Sequence, residues 1–156
     1  MILNKSIDKI KGHILLRGGR IYDPFLSLNK NNDILIKDGI IIDIKKKISV
    51  DDKYKIIDCN GKIITNGFID MHVHFREPGF EFKETIETGS YTAFLSGFTR
   101  VCTMPNTDPV IDTPELIRFI IQKSEDLPIS IHPIGAITKG QKGTELAEIG
   151  QMVLAG

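Results

Sequence analysis

The segment that decides the fold runs from Gly67 to Gly79 and reads G-F-I-D-M-H-V-H-F-R-E-P-G. Successive side chains of a strand point to opposite faces, so every second residue shares a face. One set is ionisable: Asp70, His72, His74 and Arg76. The other set is apolar: Ile69, Met71, Val73 and Phe75. We expect the apolar face to pack on helices and the ionisable face to line a polar interior, because unpaired charge is costly to bury.

His72 and His74 are candidate metal ligands. Two residues apart in a strand, their Cα atoms lie roughly 6.6 Å apart. Their imidazoles can therefore converge on one zinc ion, at about 2.0–2.1 Å per bond. The alternative is a pair of interior histidines hydrogen-bonded to Asp70. A position at the carboxyl end of a strand that opens a barrel-like region favours the metal site.

The chain changes character near Gly67. Before it, short isoleucine-rich runs alternate with Gly, Asp and Asn, so residues 13–65 are predicted to form a small antiparallel β unit. Arg17–Arg20 and Lys37–Gly39 are predicted to be tight turns, since Asp-Gly is a strong hairpin signal.

After Gly67 the pattern alternates strand and helix, which predicts a parallel sheet covered by helices. Strands are predicted over 67–75, 99–104 and 129–137, and helices over 81–96, from Thr113-Pro114-Glu115 onward, and over 144–155. These are three βα units, whereas a closed eight-fold barrel needs roughly 250 residues. We therefore expect an α/β chain that holds the first three βα units of a (β/α)8 TIM-type barrel, an incomplete barrel and hence a fragment.

The second candidate site segment is Thr103–Thr107, T-M-P-N-T, at the end of the second predicted barrel strand. Its Asn106 offers both a donor and an acceptor near the histidine pair. The alternative is an ordinary turn asparagine beside prolines.

Composition excludes several classes of protein. Twenty basic and twenty acidic residues give no net charge, so neither nucleic acid nor an anionic membrane is an expected partner. No apolar run approaches the roughly 20 residues of a membrane span, and residues 1–11 lack the apolar core of a signal peptide. Two cysteines, Cys59 and Cys102, are too few for a disulfide framework. A cytoplasmic location is expected.

Four motifs in order resemble the class I dihydroorotases of the amidohydrolase superfamily: H-V-H-F-R-E-P-G, E-F-K-E-T, M-P-N-T and P-I-G-A-I-T-K-G, which begin at residues 72, 81, 104 and 133. The resemblance covers most of the chain. It implies that residues 1–66 are an amino-terminal β-sandwich segment and that residues 67–156 are a partial metal-dependent hydrolase barrel.

The resemblance also implies roles for individual residues. His72 and His74 are the implied zinc ligands, in a site that holds two zinc ions when complete. Arg76 and Asn106 are implied to hold the substrate carboxylate, which suits the fixed fork of an arginine. The family's catalytic aspartate falls beyond residue 156, so no catalytic residue is assigned here and the chain alone is expected to be inactive.

The implied reaction is the reversible cyclisation of N-carbamoyl-L-aspartate to dihydroorotate in pyrimidine biosynthesis. The substrate is a small molecule, and the complete enzyme is expected to be a homodimer, with association with aspartate transcarbamoylase as a further option. Two alternatives stay open. One is an allantoinase- or hydantoinase-like cyclic-amide hydrolase, although allantoinases typically have asparagine where this chain has Arg76. The other is a catalytically silent subunit that scaffolds aspartate transcarbamoylase.

The remaining polar residues receive simpler interpretations. Glu77, Glu81 and Glu84 are interpreted as partners of a helix dipole, and Asp70 as a group that orients His72 or accepts from backbone donors. His132 is interpreted as a non-ligand histidine. Residues 139–143 are expected to form a flexible loop at the active-site end.

Overall fold

In the computed structural model, which describes residues 12–156, the chain divides into an amino-terminal unit, Met1–Asn66, and a carboxy-terminal unit, Gly67–Gly156. The strands of the amino-terminal unit are β1 His13–Asp23, β2 Leu28–Lys37, β3 Ile40–Lys45, β4 Lys55–Asp58 and β5 Ile63–Ile64. They form one sheet in the order β3-β2-β1-β4, and β5 also pairs with β1.

The pairing of β1, β2 and β3 is antiparallel, as predicted. Asp38 and Gly39, both at positive φ, make the predicted turn between β2 and β3. The prediction of a wholly antiparallel unit is wrong, because β4 and β5 run parallel to β1. The connection 46–54 carries the chain to the other side of β1, and a crossover of this kind produces parallel pairing.

The predicted turn at Arg17–Arg20 is instead an irregularity within β1, where the register with β2 shifts between Leu16 and Gly19. The carboxylate of Asp33 holds this bulge. It accepts the Gly18 amide at 2.9 Å and, through its second oxygen, the Ile48 amide at 2.9 Å. Asp33 is 3% exposed, so both amides gain a buried acceptor.

The carboxy-terminal unit alternates strand and helix as predicted. Its elements are β6 Phe68–Val73, α1 Ile86–Leu95, β7 Phe98–Thr103, α2 Pro114–Lys123, β8 Ser130–Pro133, a 3₁₀ turn Lys139–Gln141 and α3 Ile149–Ala155. The strands form a parallel sheet in the order β6-β7-β8. The chain is therefore of the mixed α/β class.

Helices and sheet bury a common apolar core in this unit. Its buried members are Phe75, Ile86, Val101, Ile111, Ile117, Ile120, Ile129, Ile131, Ala147 and Met152. Ile117 and Ile120 lie three residues apart on one face of α2, the spacing that an amphipathic helix requires. Each fully buried isoleucine stabilises the fold by about 1.5–3 kcal/mol.

Two helices begin later than the sequence predicts. α1 begins at Ile86 rather than near residue 81, because Thr85 caps it and forms a reciprocal capping box with Thr88. α3 begins at Ile149 rather than at 144, because the backbone before it returns toward the end of β8. The Ala147 amide donates to Ile137 and the Lys139 amide to Glu145, both at 2.9 Å.

The predicted start of α2 is confirmed, with Pro114 as its first residue. Thr113 is the N-cap, but its hydroxyl makes no capping hydrogen bond, so the proline determines this start. Between residues 12 and 156, no helix combines the length and apolar character needed to cross a membrane. Cys59 and Cys102 are both free thiols.

Candidate metal and carboxylate site

The candidate site lies where β6 and β7 end side by side in the parallel sheet. Val73 pairs with Thr103 at the last register position. Beyond it, the Met104 amide donates to the Val73 carbonyl at 2.9 Å. His74 is the first residue after β6, and Asn106 follows shortly after β7. The parallel register therefore brings the two predicted segments to one edge of the sheet.

His72 and His74 direct the same ring atom toward each other, with their Nε2 atoms 3.2 Å apart. Two ligands of a tetrahedral zinc ion, each about 2.0–2.1 Å from it, lie about 3.3 Å apart by trigonometry. The spacing of the two nitrogens thus fits a shared metal ion. The Asp70 carboxylate accepts the backbone N–H of His72 at 3.0 Å, so it satisfies a backbone donor rather than an imidazole.

The other ring nitrogen of His74 contacts Asn106. His74 Nδ1 lies 2.8 Å from Oδ1 of Asn106. An amide oxygen can only accept, so Nδ1 carries the proton and Nε2 keeps a lone pair. The sequence predicted a role for Asn106 toward substrate, and the contact with His74 is an additional finding.

The histidine pair alone does not make a complete metal site. Across residues 12–156, no three or more His, Cys, Asp and Glu side chains are arranged to hold a metal ion. Catalytic zinc sites use three protein ligands and an open position. Two imidazoles that converge within 3.2 Å supply two of these ligands, and at least one more is needed.

Arg76 lies two residues beyond His74 and is half-buried. Within residues 12–156, which the structure describes, no side chain or carbonyl accepts a hydrogen bond from the Arg76 guanidinium. Arginine stays charged at all relevant pH values and matches a carboxylate with two parallel hydrogen bonds. A half-buried guanidinium without a partner is therefore suited to an anionic ligand.

The Arg76 loop, residues 74–80, packs on the Asn106 loop, residues 104–109. The Asp108 amide donates to the Pro78 carbonyl at 3.1 Å. Gly79 has a φ of +93°, and a Cβ placed there would lie 2.0 Å from the Asp108 carbonyl oxygen. Only glycine allows the two loops to approach this closely.

Glu77 anchors the Arg76 loop from within the protein. Its carboxylate is 4% exposed, accepts the Ile86 amide at 2.9 Å and pairs with the ammonium of Lys123. The interpretation as a partner of the α1 amino terminus is confirmed, since Ile86 is the first residue of α1. The contact with Lys123 was not predicted. The two residues are 46 positions apart, and no local pattern links them.

Glu81 fixes the end of the same loop. The Gly79 amide donates to its carboxylate at 2.9 Å, and this hydrogen bond lowers the pKa of Glu81 below its ordinary value of 4.5. The carboxylate form of Glu81 and the folded loop thus stabilise each other.

The predicted face of Asp70 is wrong. Asp70 pairs with Val101, and Val73 pairs with Thr103, so β6 holds an extra residue between these positions. The bulge puts Asp70 on the same face as Val73, because cross-strand partners share a face. Asp70 and Val73 both line a cavity of about 270 Å³ against α1.

The predicted apolar face of β6 is only partly packed on helices. Val73 and Phe75 contact the core of the carboxy-terminal unit. Ile69 and Met71 are 57% and 76% exposed. The bulge between Asp70 and Val73 separates the two pairs, so one alternation pattern does not describe the whole strand.

The other residues at this end of the sheet have defined partners. His132 is exposed and pairs in register with Cys102. The 139–143 segment is tied to its surroundings, since the Gly140 amide donates to Asp112 at 2.6 Å and the Gly143 amide to the Thr138 hydroxyl at 3.1 Å. Those bonds give the segment a specific backbone path.

Comparison with solved structures identifies the class of fold. The L-hydantoinase (dihydropyrimidinase) of Arthrobacter aurescens matches with a TM-score of 0.78 over 93% of this chain and 31% of its own, at 24% identity. The D-hydantoinase (dihydropyrimidinase) of a Thermus species matches with a TM-score of 0.65 over 90% and 30%, at 27% identity. The chain thus shares its fold with amidohydrolase-type TIM-barrel enzymes.

Comparison of sequences identifies the family. The Dihydro-orotase-like family matches residues 61–156. A dihydroorotase of Acetivibrio thermocellus is 47% identical over 92% of this chain, and one of Citrifermentans bemidjiense is 45% identical over 92%. The chain spans 34% of the length of each of these relatives. This chain belongs to the Dihydro-orotase-like family.

Proposed function

We propose that this chain is the amino-terminal part of a zinc-dependent dihydroorotase, which interconverts N-carbamoyl-L-aspartate and dihydroorotate in pyrimidine biosynthesis. Residues 1–66 contribute to a side β-sandwich, and residues 67–156 are the first three βα units of the barrel. The support is membership of the family, together with relatives named dihydroorotase at 45–47% identity.

One observation carries the proposal in the structure. Two imidazole nitrogens 3.2 Å apart and an unpaired, half-buried guanidinium lie within five residues of one another in the chain. The first pair fits a metal ion, and the second group fits a carboxylate. A cyclic amide that bears a carboxylate, such as dihydroorotate, needs both.

The residues take separate roles in this proposal. His72 and His74 hold a zinc ion, which as a Lewis acid would polarise the amide carbonyl of the substrate. Arg76 binds the substrate carboxylate through its two parallel N–H groups. Asn106 assists through its amide NH₂, since its oxygen is occupied by His74. Proton transfer is assigned to no residue of this chain, so residues 1–156 alone are expected to be inactive.

The test uses the full-length protein that contains this chain, loaded with zinc, and compares Arg76→Asn with wild type. We expect dihydroorotate hydrolysis to fall by at least about 100-fold in kcat/KM, since a charge-assisted bidentate contact contributes about 3 kcal/mol. Arg118→Asn is the matched control, because Arg118 is exposed and pairs only with Glu115 on the same helix. Unchanged turnover by Arg76→Asn would contradict the carboxylate role.

The hydantoinase-like alternative has one observation in its favour, the fold shared with two hydantoinases. It predicts that wild type hydrolyses an uncharged cyclic amide, such as hydantoin, as well as dihydroorotate, and that Arg76→Asn leaves hydantoin hydrolysis intact. The silent-scaffold alternative predicts that neither substrate is hydrolysed.

Three further parts of the proposal concern the setting of the complete enzyme. It acts in the cytoplasm, which agrees with two free thiols. It forms a homodimer, and association with aspartate transcarbamoylase is an extension of this proposal. Size-exclusion chromatography of the full-length protein, alone and mixed with that enzyme, tests both assemblies.

A further inference from the structure

We propose that Asn106 is a positioning residue for the metal ligand His74, because its side-chain oxygen selects the tautomer that leaves Nε2 free to bind metal. This inference deepens the proposed function and rests on it for the identity of the ligands. It rests separately on two contacts in the structure: the 2.8 Å contact of Asn106 Oδ1 with His74 Nδ1, and the 3.2 Å separation of the two Nε2 atoms.

The hydrogen-bond chain fixes where the protons lie. Asn106 Oδ1 cannot donate, so His74 Nδ1 carries a proton and donates it to the amide oxygen. A neutral imidazole carries one ring proton, so His74 Nε2 is an acceptor. In the metal-free chain, the contact between the two rings is then a hydrogen bond from His72 Nε2–H to His74 Nε2, and His72 must carry its proton on Nδ1 instead when both Nε2 atoms bind metal. The hydrogen bonds therefore run in one direction: His72 donates to His74, and His74 donates to Asn106.

The side-chain amide of Asn106 also joins the two halves of the site, the metal ligand His74 and the proposed binding position of the substrate carboxylate. Its oxygen contacts His74, and its NH₂ diverges from the oxygen in the same plane, so it cannot donate to the same ring. The NH₂ group is therefore available to a ligand on the other side of the amide. A carboxylate bound there polarises the amide and strengthens the bond from His74 Nδ1–H, because hydrogen bonds in a chain reinforce one another.

Two variants separate these functions of Asn106. Asn106→Asp retains an oxygen that accepts from His74 and removes the NH₂ donor. Asn106→Leu has a similar size and removes both. Asn31→Leu is the control for an added surface leucine, because Asn31 is an exposed asparagine of the amino-terminal unit. The neighbouring Thr107 is not used as a control position, because Thr107→Val would disturb a buried turn.

The first measurement is the protonation of the His74 ring in the metal-free chain, by long-range ¹H–¹⁵N correlation, with His74→Gln to assign the signals. We expect Nδ1–H in wild type and Asn106→Asp, and a population dominated by Nε2–H in Asn106→Leu. Retention of Nδ1–H in Asn106→Leu would overturn the inference. This result does not depend on enzymatic activity, so it can fail or succeed independently of the proposed function.

The second measurement is zinc affinity of the full-length protein, by competition with a chromophoric chelator. Loss of an outer partner of a metal-binding histidine typically lowers affinity about 10- to 100-fold. We expect that loss for Asn106→Leu and none for Asn106→Asp. Equal affinity in all three proteins, or equal loss in both variants, contradicts the positioning role. Absence of zinc binding by wild type contradicts the proposed metal site instead.

Discussion

Gly79 determines how closely the Arg76 loop and the Asn106 loop approach. Its positive φ and the adjacent Asp108 carbonyl leave no space for a Cβ. We expect Gly79→Ala to lower the free energy of unfolding by more than the roughly 1–2 kcal/mol of left-handed strain alone, since a backbone clash is added. Urea unfolding measures the difference.

Gly143→Ala is the matched control for Gly79→Ala. Gly143 has a φ of +74°, and a Cβ placed there would have no atom within 4 Å. An alanine at residue 143 therefore has the conformational strain without the clash. Equal destabilisation by the two substitutions would show that the loops are not in contact as described.

Glu81 makes the same loop sensitive to acid. Its pKa is lowered because the Gly79 amide donates to the carboxylate. A carboxyl group whose pKa is lowered by folding stabilises the protein above its unfolded pKa, near 4.5, and loses that contribution as pH falls through the folded pKa. We expect wild type to be more stable than Glu81→Gln at pH 6, and we expect the two stabilities to converge toward pH 3. Unfolding midpoints across that range test this, and a gap that is independent of pH would contradict it.

At the residue scale, the convergence of the two histidine rings was predictable because its signal is local. The alternation of His72 and His74 is visible in three consecutive residues, and their ring nitrogens do converge. The partners of Glu77 and Asn106 depend on residues 46 and 32 positions away in the chain. Such contacts depend on strand register and helix placement, which no short pattern encodes.

At the scale of elements, α1 packs on the end of β6 through a glycine. A Cβ at Gly89 would lie 2.4 Å from the buried Phe75 ring. We expect Gly89→Ala to destabilise the chain by about 1–3 kcal/mol through overpacking, despite a gain of about 1 kcal/mol in helix propensity. Thermal unfolding checks the sign.

Gly150→Ala is the corresponding control in α3, since a Cβ there meets no atom within 4 Å. We expect this substitution to stabilise the chain by up to about 1 kcal/mol. The packing of Phe75 on α1 is wrong if both substitutions stabilise equally.

The order of elements in the carboxy-terminal unit was predictable, and several boundaries were not. Alternating strand and helix patterns with their Gly and Pro stops specified three βα units. The bulge in β6 was not visible, because an inserted residue leaves the alternation of residue types unchanged while it rotates Asp70 to the other face. The late start of α3 follows from tertiary backbone pairing, to which helix propensity is insensitive.

At the scale of the whole molecule, each of the two units has its own buried residues and one cysteine, Cys59 in the amino-terminal unit and Cys102 in the carboxy-terminal unit. Asp33 is buried in the amino-terminal unit and is the acceptor for two amides. Asp33→Ala leaves those amides unpaired, at a cost of about 1–3 kcal/mol. We expect pulsed thiol labelling of Cys59 to accelerate roughly 5- to 160-fold, while labelling of Cys102 changes much less. Mass spectrometry of the labelled peptides measures both rates.

Asp51→Ala is the control for that measurement, since Asp51 is exposed and its carboxylate accepts the Lys53 amide, also exposed. It is expected to leave both labelling rates near those of wild type. Equal acceleration of Cys59 and Cys102 by Asp33→Ala would show that the effect of Asp33 extends through the whole chain.

The mixed α/β class was predictable at this scale, because alternating strand and helix patterns after Gly67 indicate a parallel sheet with helices, as observed. The direction of β4 and β5 was not, since their short isoleucine runs fit a parallel or an antiparallel neighbour equally. Strand direction depends on the path of the connection, which carries no hydrophobic pattern.

The backbone pairing between residues 137–139 and 145–147 has a consequence for variation in length. Ala147 bonds Ile137, and Lys139 bonds Glu145, so the intervening tip is closed at its base before α3 begins. A longer tip adds little loop-closure entropy, about 0.6 kcal/mol for each doubling in length, and its main cost is loss of the hydrogen bonds from Gly140 to Asp112 and from Gly143 to Thr138. Insertions and deletions among homologues are therefore expected to gather between residues 140 and 144. The same tip is the place where an epitope tag can be inserted without shifting β8 or α3.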